Sequence, residues 1–472
     1  MKRSRKQSRN SSHKKRPPQK RGPSPQTMRQ RALSAGLEYE QKGALLRDHP
    51  ALQERSREAA SATRLATRVI HQRLTLDFLL AKCCSRPQDQ VQVPLWQILR
   101  QGACELLDPQ TDDHAAINET VELARWIGLP KATGFVNGVL RQLQRLRGER
   151  EDQAQWTPDR STLPASSSQI WKLSRPILPD PQLHFEQAVS VVCSLPEELV
   201  TVWKAQHNEE TVWALGLSSQ QETPPCLRIN RLKTSLQEYQ AQLNEAGIAF
   251  ETVADCEDML QLSGQVGISE LPGLHDGLIS IQDSTASGAV RLLNPQAGES
   301  ILDLCSAPGT KTVQMAEQMG DEGAILACDV SAARLKRVSE NVERCGLQSV
   351  KLQVIPREGV TLDQQFDAVV IDAPCSNTGV LGKRPEARWR YSEQSVEELA
   401  EIQYSLLDTA LAHLKPGGRI VYSTCSIDLR ENEQVVEKWK QAHPQWETRS
   451  SLFKLPSSEQ DGGFATLLQP TS

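Results

Sequence analysis

The stretch SILDLCSAPGTKTVQMAEQMG, residues 300–320, decides the fold of the C-terminal part of this chain. An apolar, strand-like run leads into a turn of small residues, and a helix-like run follows. The same order recurs downstream, where the strand-like runs AILACD, KLQVI, FDAVVID and RIVYSTC are separated by helix-like segments. This alternation is typical of parallel βαβ units. It predicts a Rossmann-like α/β domain over 276–472, with ligands bound at the carboxyl ends of the strands.

Two of these strand ends carry a cysteine. Asp372 and Cys375 lie in DAPCS, after FDAVVID, and Cys425 lies in YSTCSID, at the end of RIVYSTC. A cysteine thiolate is a strong nucleophile, and thiols at neighbouring strand ends could share one pocket. The pattern favours an enzyme over a binding module.

The first turn, CSAPGTKT, has small residues that let the backbone approach a ligand closely, and it precedes a helix whose N-terminus favours negative charge. It is not a P-loop, because Leu304 stands where the first glycine would be, and it lacks GxGxxG. Asp329 ends the next strand, where a carboxylate can accept hydrogen bonds from ribose hydroxyls. The alternative role for Asp329 is that of a helix cap.

These segments, together with DAPCSNTGVLGKRPEARWR and LKPGGRIVYSTCS, resemble the RNA 5-methylcytosine methyltransferases, and among them the bacterial Sun or RsmB-type branch that acts on small-subunit (16S) rRNA. The resemblance is close over roughly 275–440. It implies a class I methyltransferase domain that uses S-adenosyl-L-methionine and no metal. The cofactor-binding residues that it implies are Cys305, Ser306, Ala307, Pro308, Gly309, Thr310, Lys311, Asp329 and Asp372.

The chain departs from the family pattern in two places. The family turn usually reads CAAPGGKT, so Ser306 and Thr310 are substitutions, and Thr310 adds a Cβ that could alter cofactor affinity. The acid that contacts adenine in the family has no clear counterpart in QVIPREGV, residues 353–360.

The same resemblance assigns the chemistry. Cytosine C5 is too weak a nucleophile to attack a sulfonium methyl, so Cys425 is expected to add to C6 first and form a covalent adduct. Cys375 is expected to help release the product, and Asp372 to hold the N3 edge of the base. The basic segment GKRPEARWR, residues 382–390, mixes charged and aromatic residues suited to RNA, although a solvated loop is the alternative. The RNA contacts expected in it are Lys383, Arg384, Arg388 and Trp389.

The region before this domain divides by composition. Residues 28–148 place apolar residues three and four apart, which predicts an all-helical domain, and HAAINETVELAR and FVNGVLRQL resemble the NusB-type RNA-binding domain. A polar stretch, 149–168, is predicted to be a linker. Residues 169–275 are predicted to form a small α/β appendage, in which Arg228, Asn230, Arg231 and Lys233 are either RNA contacts or an ordinary strand edge.

Residues 1–27 form a predicted disordered tail. Residues 1–26 hold ten Lys and Arg and no acid, so a net charge of −4 for the chain leaves about −14 for the rest. Such a tail attracts phosphates, although a purely solubilising role is the alternative. With no apolar run of membrane-spanning length and no signal-like start, the expected compartment is the cytoplasm. The eleven cysteines form no CxxC pair or zinc pattern, and are expected to be reduced thiols.

The sequence thus predicts an S-adenosylmethionine-dependent RNA (cytosine-C5)-methyltransferase. Its expected partner is RNA, 16S rRNA or a small-subunit assembly intermediate, without a membrane or an evident obligate protein partner. An RNA-binding ribosome-assembly factor with an inactive methyltransferase fold is the alternative, which the intact Cys375, Cys425 and Asp372 disfavour. DNA cytosine methylation is a third class, disfavoured by the second cysteine and the helical domain.

Overall fold

The computed structural model of the chain describes residues 24–43, 45–54, 56–153, 156–166, 168–254, 256–264, 266–356 and 362–471. Residues 1–23, most of the predicted basic tail, lie outside the described residues. The chain divides into two compact units, one formed by residues up to 66 with 83–145, and one by 67–82 with 146 onward. Among the described helices, none has the length and apolar character needed to cross a membrane.

The first unit is helical, as predicted. Thr27 caps the first helix in a reciprocal arrangement with Gln30, and Asp112 caps another through the backbone N–H of Ala115. The helices of this part of the chain are α1 (Met28–Lys42), α2 (Pro50–Gln53), α3 (Arg57–His71), α4 (Arg73–Cys83), α5 (Val93–Leu106), α6 (Asp113–Trp126) and α7 (Thr133–Arg147). Helices α3 and α7 cross from the first unit into the second, and α4 lies in the second unit except for Cys83.

The prediction of a linker over 149–168 is wrong, because two strands of a small antiparallel sheet lie there, within the second unit. Its strands β1 (Glu149–Asp152), β2 (Thr162–Pro164) and β3 (Gln169–Lys172) pair in the order β1-β3-β2. The centre is Trp171 of β3, which is buried under the guanidinium of Arg147, 4.0 Å from its ring centroid. All four side chains of β1 are exposed, so its sequence shows no alternation of polar and apolar residues.

The small appendage combines short helices with a four-stranded antiparallel sheet of order β5-β6-β4-β7. The last strand lies beyond the predicted boundary at 275. Arg228 is buried, donates to Gln282 at 2.7 Å and pairs with Glu317, so the option of an RNA contact for Arg228 is wrong. Buried Asn230 likewise donates to the Gly277 carbonyl. The elements are α8 (Phe185–Cys193), α9 (Glu197–Gln206), α10 (Glu209–Ser218), β4 (Cys226–Ile229), α11 (Leu236–Glu245), β5 (Phe250–Thr252), β6 (Met259–Leu262) and β7 (Ile279–Ile281).

The main sheet has the order β10-β9-β8-β11-β12-β14-β13. Strands β8 to β12 are parallel, which confirms the Rossmann-like prediction, while β14 and β13 are antiparallel additions. The elements are α12 (Ser284–Leu293), β8 (Ser300–Asp303), α13 (Thr310–Gln318), β9 (Ala324–Asp329), α14 (Ala332–Cys345), β10 (Val350–Val354), β11 (Phe366–Asp372), α15 (Glu393–Ala412), β12 (Leu414–Thr424), α16 (Glu433–Ala442), β13 (Trp446–Lys454) and β14 (Gly463–Pro470).

The pairing of β11 with β12 positions the two cysteines. Asp372 lies opposite Ser423 at the carboxyl ends of these parallel strands. Cys375 and Cys425 follow a few residues later, so both turns emerge at the same edge of the sheet.

Candidate active site

The small-residue turn between β8 and α13 is held tightly against β9. The backbone N–H and the hydroxyl of Ser306 both donate to the Cys328 carbonyl, at 2.8 and 2.9 Å. Gly309 has a φ of +102°, and a Cβ there would lie 3.0 Å from Val338. A side chain would be strained at this position, immediately before α13 begins at Thr310.

Asp329 stands at the end of β9 with only 2% of its surface exposed. Its Oδ1 accepts a hydrogen bond from the Ser331 backbone at 3.0 Å. Its Oδ2 lies 3.2 Å from the Arg334 guanidinium without a well-aligned hydrogen bond. Arg334 also donates to the Ala307 carbonyl at 2.9 Å, which joins the carboxylate to the turn. The cap of α14 is Ser331, whose hydroxyl accepts from the Arg334 backbone N–H, so the helix-cap alternative for Asp329 is wrong. Asp329 binds the cap residue and keeps acceptor capacity beside the turn.

Asp303 is a further acid at this edge, within the quoted motif but without an assigned role in the sequence. It is buried, and its Oδ2 accepts a hydrogen bond from Thr312 at 2.7 Å. Burial raises the pKa of Asp303 to about 7, and the nearby Asp372 carboxylate adds to the effect.

Asp372 is held from one side by two residues. Lys311 Nζ lies 2.7 Å from Asp372 Oδ1, and the Ser423 hydroxyl donates to the same oxygen at 3.3 Å. Lys311 is largely buried, whereas the Asp372 side chain is 35% exposed. The carboxylate therefore has a fixed orientation and remains accessible.

Cys375 and Cys425 meet, with their sulfur atoms 3.4 Å apart. Asn377 lies between their turns in the left-handed conformation, with a φ of +62°. Its Nδ2 donates to the Cys375 carbonyl at 2.7 Å, and its Oδ1 lies 3.3 Å from the Cys425 sulfur. Asn377 had no predicted role.

The surroundings of the two thiols differ. The pKa of Cys425 is lowered, chiefly by the hydrogen bond from Cys375 and also by the charges of Arg384 and Lys311. The pKa of Cys375 is raised, because it gives that hydrogen bond, is buried, and lies near the Glu431 carboxylate. Cys425 is therefore the sulfur placed to carry the negative charge.

A small cavity opens beside Cys425, and its polar lining is already paired. Lys383 Nζ lies 2.9 Å from Asp461 and 3.8 Å from Asp283. Asp461 also accepts from the Thr223 hydroxyl at 2.7 Å. Lys383, predicted to bind RNA, has carboxylate partners in this structure. The lining residues include Asp283, Thr285, Lys311, Ser423, Cys425, Asp461 and Phe464.

The rest of the basic segment divides between surface and interior. Arg384 is exposed and donates to Asn377 Oδ1 at 2.5 Å. Arg388 is fully buried, so its prediction as an RNA contact is wrong. Trp389 is half-buried, and its Nε1 donates to the Ile70 carbonyl at 3.0 Å. The carbonyls that accept from Arg388 are those of His71, Cys193, Ser194, Ser219 and Leu381.

The segment expected to contact adenine is described only through Pro356. Residues 357–361, which include Glu358, lie outside the described residues.

Comparison with known proteins agrees with this architecture. Residues 290–467 match the 16S rRNA methyltransferase RsmB/F family, residues 26–145 the NusB family, and residues 195–269 the RsmF/B-like ferredoxin-like domain. Ribosomal RNA small subunit methyltransferase B of Klebsiella pneumoniae subsp. pneumoniae is 32% identical over 429 residues, 88% of this chain and 91% of that protein.

Two solved structures share the fold. The crystal structure of PH0851 covers 95% of this chain and all of its own, with a TM-score of 0.73 and 22% identity. That of NSun6 from Pyrococcus horikoshii with SFG covers 59% of this chain and 98% of its own, with a TM-score of 0.54 and 20% identity. The extent of the sequence match to methyltransferase B decides the assignment. The chain belongs to the 16S rRNA methyltransferase RsmB/F family.

Proposed function

We propose that this protein transfers a methyl group from S-adenosyl-L-methionine to C5 of a cytosine in small-subunit (16S) rRNA through a covalent bond between Cys425 and C6. The observation that carries the proposal is the 3.4 Å separation of the Cys375 and Cys425 sulfurs at adjacent strand ends, beside Asp372. The rRNA substrate is supported by the relative named Ribosomal RNA small subunit methyltransferase B.

The residues at the ends of β8 and β9 fit the methyl donor. Gly309 lets the turn 305–310 pack closely against Val338, and Asp329 offers acceptor oxygens beside that turn, where ribose hydroxyls would bind. When bound, S-adenosyl-L-methionine supplies an electrophilic methyl group. Cys305, Ser306, Ala307, Pro308 and Thr310 would complete the turn around it.

Cys425 is the proposed nucleophile. Its sulfur forms a bond to C6 of the base while the C5–C6 double bond opens, and the displaced electron pair makes C5 nucleophilic enough to bond to the methyl group. The Arg384 and Lys311 charges favour the thiolate required for this step. Asp372, oriented by Lys311, would hold the N3 edge of the ring.

Product release requires the new bond to break. A base removes the C5 proton, the electron pair restores the C5–C6 double bond, and the Cys425 sulfur leaves C6. Cys375 lies 3.4 Å from that sulfur, within reach to return a proton to it. This is the proposed role of Cys375.

Binding of RNA is proposed to use more than the cavity. The cytosine has to leave its stack, because C5 and C6 are inaccessible within a helix. Arg384, which binds Asn377, and Arg390 are exposed and can attract phosphates. The NusB-family unit would provide a second RNA surface, and the cytoplasm is the proposed compartment.

The test is transfer of labelled methyl from S-adenosyl-L-methionine to unmodified 16S rRNA, as free RNA and as assembly intermediates, followed by nucleoside analysis. We expect 5-methylcytidine with the wild type and none with Cys425→Ala. Cys375→Ala is expected to leave RNA attached to the protein. No methylated product from folded wild-type protein on any of these RNAs would contradict the proposal and favour the assembly-factor alternative.

A further inference from the structure

One buried carboxylate joins the two cysteine-bearing turns. Glu431 lies between β12 and α16 with none of its surface exposed. Its Oε1 accepts from the backbone N–H of Ser376 at 2.8 Å, and its Oε2 accepts from the Ser426 hydroxyl at 2.6 Å and from the Ser376 hydroxyl. Ser376 directly follows Cys375, and Ser426 directly follows Cys425. A single side chain therefore binds the residue after each cysteine.

The backbone around Glu431 is itself fixed. The Tyr422 hydroxyl donates to the Glu431 carbonyl at 2.5 Å. The adjacent Asn432 donates to the Ser426 carbonyl at 3.0 Å and accepts from the Thr424 hydroxyl at 2.5 Å. All these groups are buried, so each lost hydrogen bond would leave a polar atom without water.

Helix α15 contributes a further donor to the hydrogen bonds around Glu431 and the turn after β11. Gln403 of α15 donates from Nε2 to the Pro374 carbonyl at 2.9 Å and to Glu431 Oε1 at 3.2 Å. The donors thus converge on both oxygens of Glu431, which suits an ionised carboxylate. Burial raises the pKa of Glu431, and the serine donors oppose that rise.

Glu431 also breaks the equivalence of the two thiols. Its charge lies near Cys375 and contributes to the raised pKa of that thiol, whereas Arg384 and Lys311 act on Cys425. Two sulfurs 3.4 Å apart cannot both ionise easily, so a modest asymmetry decides which one carries the charge.

We propose that Glu431 is a positioning residue that fixes the turn after β11 against the turn after β12 and thereby makes Cys425, rather than Cys375, the attacking sulfur. The term attacking sulfur rests on the proposed function, whereas the alkylation test of the positioning role does not. Glu431 acts through the two turns and touches no substrate atom.

Other charged or titratable groups face this network and remain in place in the test. The groups that act on Glu431 or on either thiol are Tyr391, Tyr422, Asp428, Lys311, Asp372 and Arg384. Glu431→Gln removes the charge of Glu431 and leaves the charges of these surrounding groups unchanged.

The experiment is alkylation of the full-length protein by iodoacetamide across about pH 6 to 9, with each cysteine followed by peptide mass spectrometry. In the wild type we expect Cys425 to react about tenfold faster than Cys375 at neutral pH. In Glu431→Gln we expect the ratio to fall to about threefold or less. Glu433→Gln, a half-buried acid two residues away, is the matched control and should keep the wild-type ratio.

Methyl transfer supplies the second readout. Glu431→Gln is expected to lower kcat about tenfold or more while KM for RNA changes by about twofold or less, because substrate contacts are retained. A folded Glu431→Gln protein with the wild-type alkylation ratio and kcat would overturn the inference. If Glu431→Gln does not fold, Ser426→Ala removes the link to the second turn and is expected to lower the same ratio, and an unchanged ratio there would likewise overturn it.

The two proposals fail separately. Alkylation needs neither RNA nor methyl donor, so a shifted ratio in a protein that makes no 5-methylcytidine would refute the proposed function and leave the positioning role standing.

Discussion

The two cysteine-bearing turns and the basic segment 382–390 lie in the same unit and use polar side chains in opposite ways. In the turns, Glu431 binds Ser376, Asn377 binds the Cys375 carbonyl, and the Cys425 side chain lines a cavity. In the basic segment, Arg388 points inward and binds backbone carbonyls, while Arg384 stays outside. A guanidinium satisfies carbonyl oxygens as well as phosphates, so its charge alone does not reveal its partner.

The largest expected effect concerns the turns. Cys425→Ala should lower methyl transfer by about four orders of magnitude or more, the scale that follows loss of a covalent nucleophile. Single-turnover assays with labelled methyl donor would measure it. Cys84→Ala, at a partly buried cysteine that belongs to neither cysteine-bearing turn, is the control and should retain activity. Equal losses in both variants would show that thiol number, not position, matters.

The second effect concerns the interior half of the basic segment. Arg388→Ala should lower the free energy of unfolding by about 3 to 5 kcal/mol, because several buried carbonyls lose a charged donor. Urea unfolding would measure this. Arg390→Ala, at an exposed arginine, should change stability by about 0.5 kcal/mol or less. Weakened RNA binding with unchanged stability in Arg388→Ala would instead restore the RNA-contact role.

A smaller effect is expected at Trp389. Trp389→Phe removes the donor to the Ile70 carbonyl and keeps an aromatic ring beside Arg73, at a cost of about 1 kcal/mol. The same unfolding assay applies, together with a filter-binding measurement of RNA affinity. Unchanged stability with reduced affinity would place Trp389 among the RNA contacts.

The smallest expected effect is that of Arg384, in the basic segment, on the pKa of Cys425, in a cysteine-bearing turn. Arg384→Ala should raise the pKa of Cys425, because the cation that favours its thiolate is lost. A thiol with a higher pKa ionises at higher pH, so the alkylation curve of Cys425 should move upward in pH. At neutral pH and low salt the rate should fall about two- to fivefold, and the difference should shrink in high salt because Arg384 is exposed. An identical curve would remove Arg384 from the electrostatics of the site.

The parts of the fold that sequence predicted are those with strong periodicity. The βαβ pattern gave β8 to β12 and, through the rule for strand ends, placed Asp372, Cys375 and Cys425 together. The antiparallel strand β13 was not predicted, because most of its side chains are exposed or half-buried and its sequence lacks a clear apolar pattern. The small sheet found in place of the predicted linker was missed for a similar reason. Its first strand is entirely polar, and its buried centre is Trp171.

Individual polar residues were harder to assign. Arg388 and Arg384 look alike in sequence, and only tertiary packing separates them. Glu431 precedes the apolar run of α16, where an acid is ordinarily a favourable helix-terminus residue, so the sequence carried no signal that it also binds Ser376, 55 positions earlier. The residues 50 positions apart that it connects become neighbours only when β11 pairs with β12.

The closeness of the two sulfurs has a consequence for every titration of this protein. Groups this near to each other exchange one proton between them, and their two observed ionisation steps belong to the pair and not to either residue. Replacing Cys375 therefore changes the acidity of Cys425 even where the backbone does not move. A variant with only one of the two cysteines therefore gives the pKa of an isolated thiol, which differs from either pKa of the coupled pair in the intact protein.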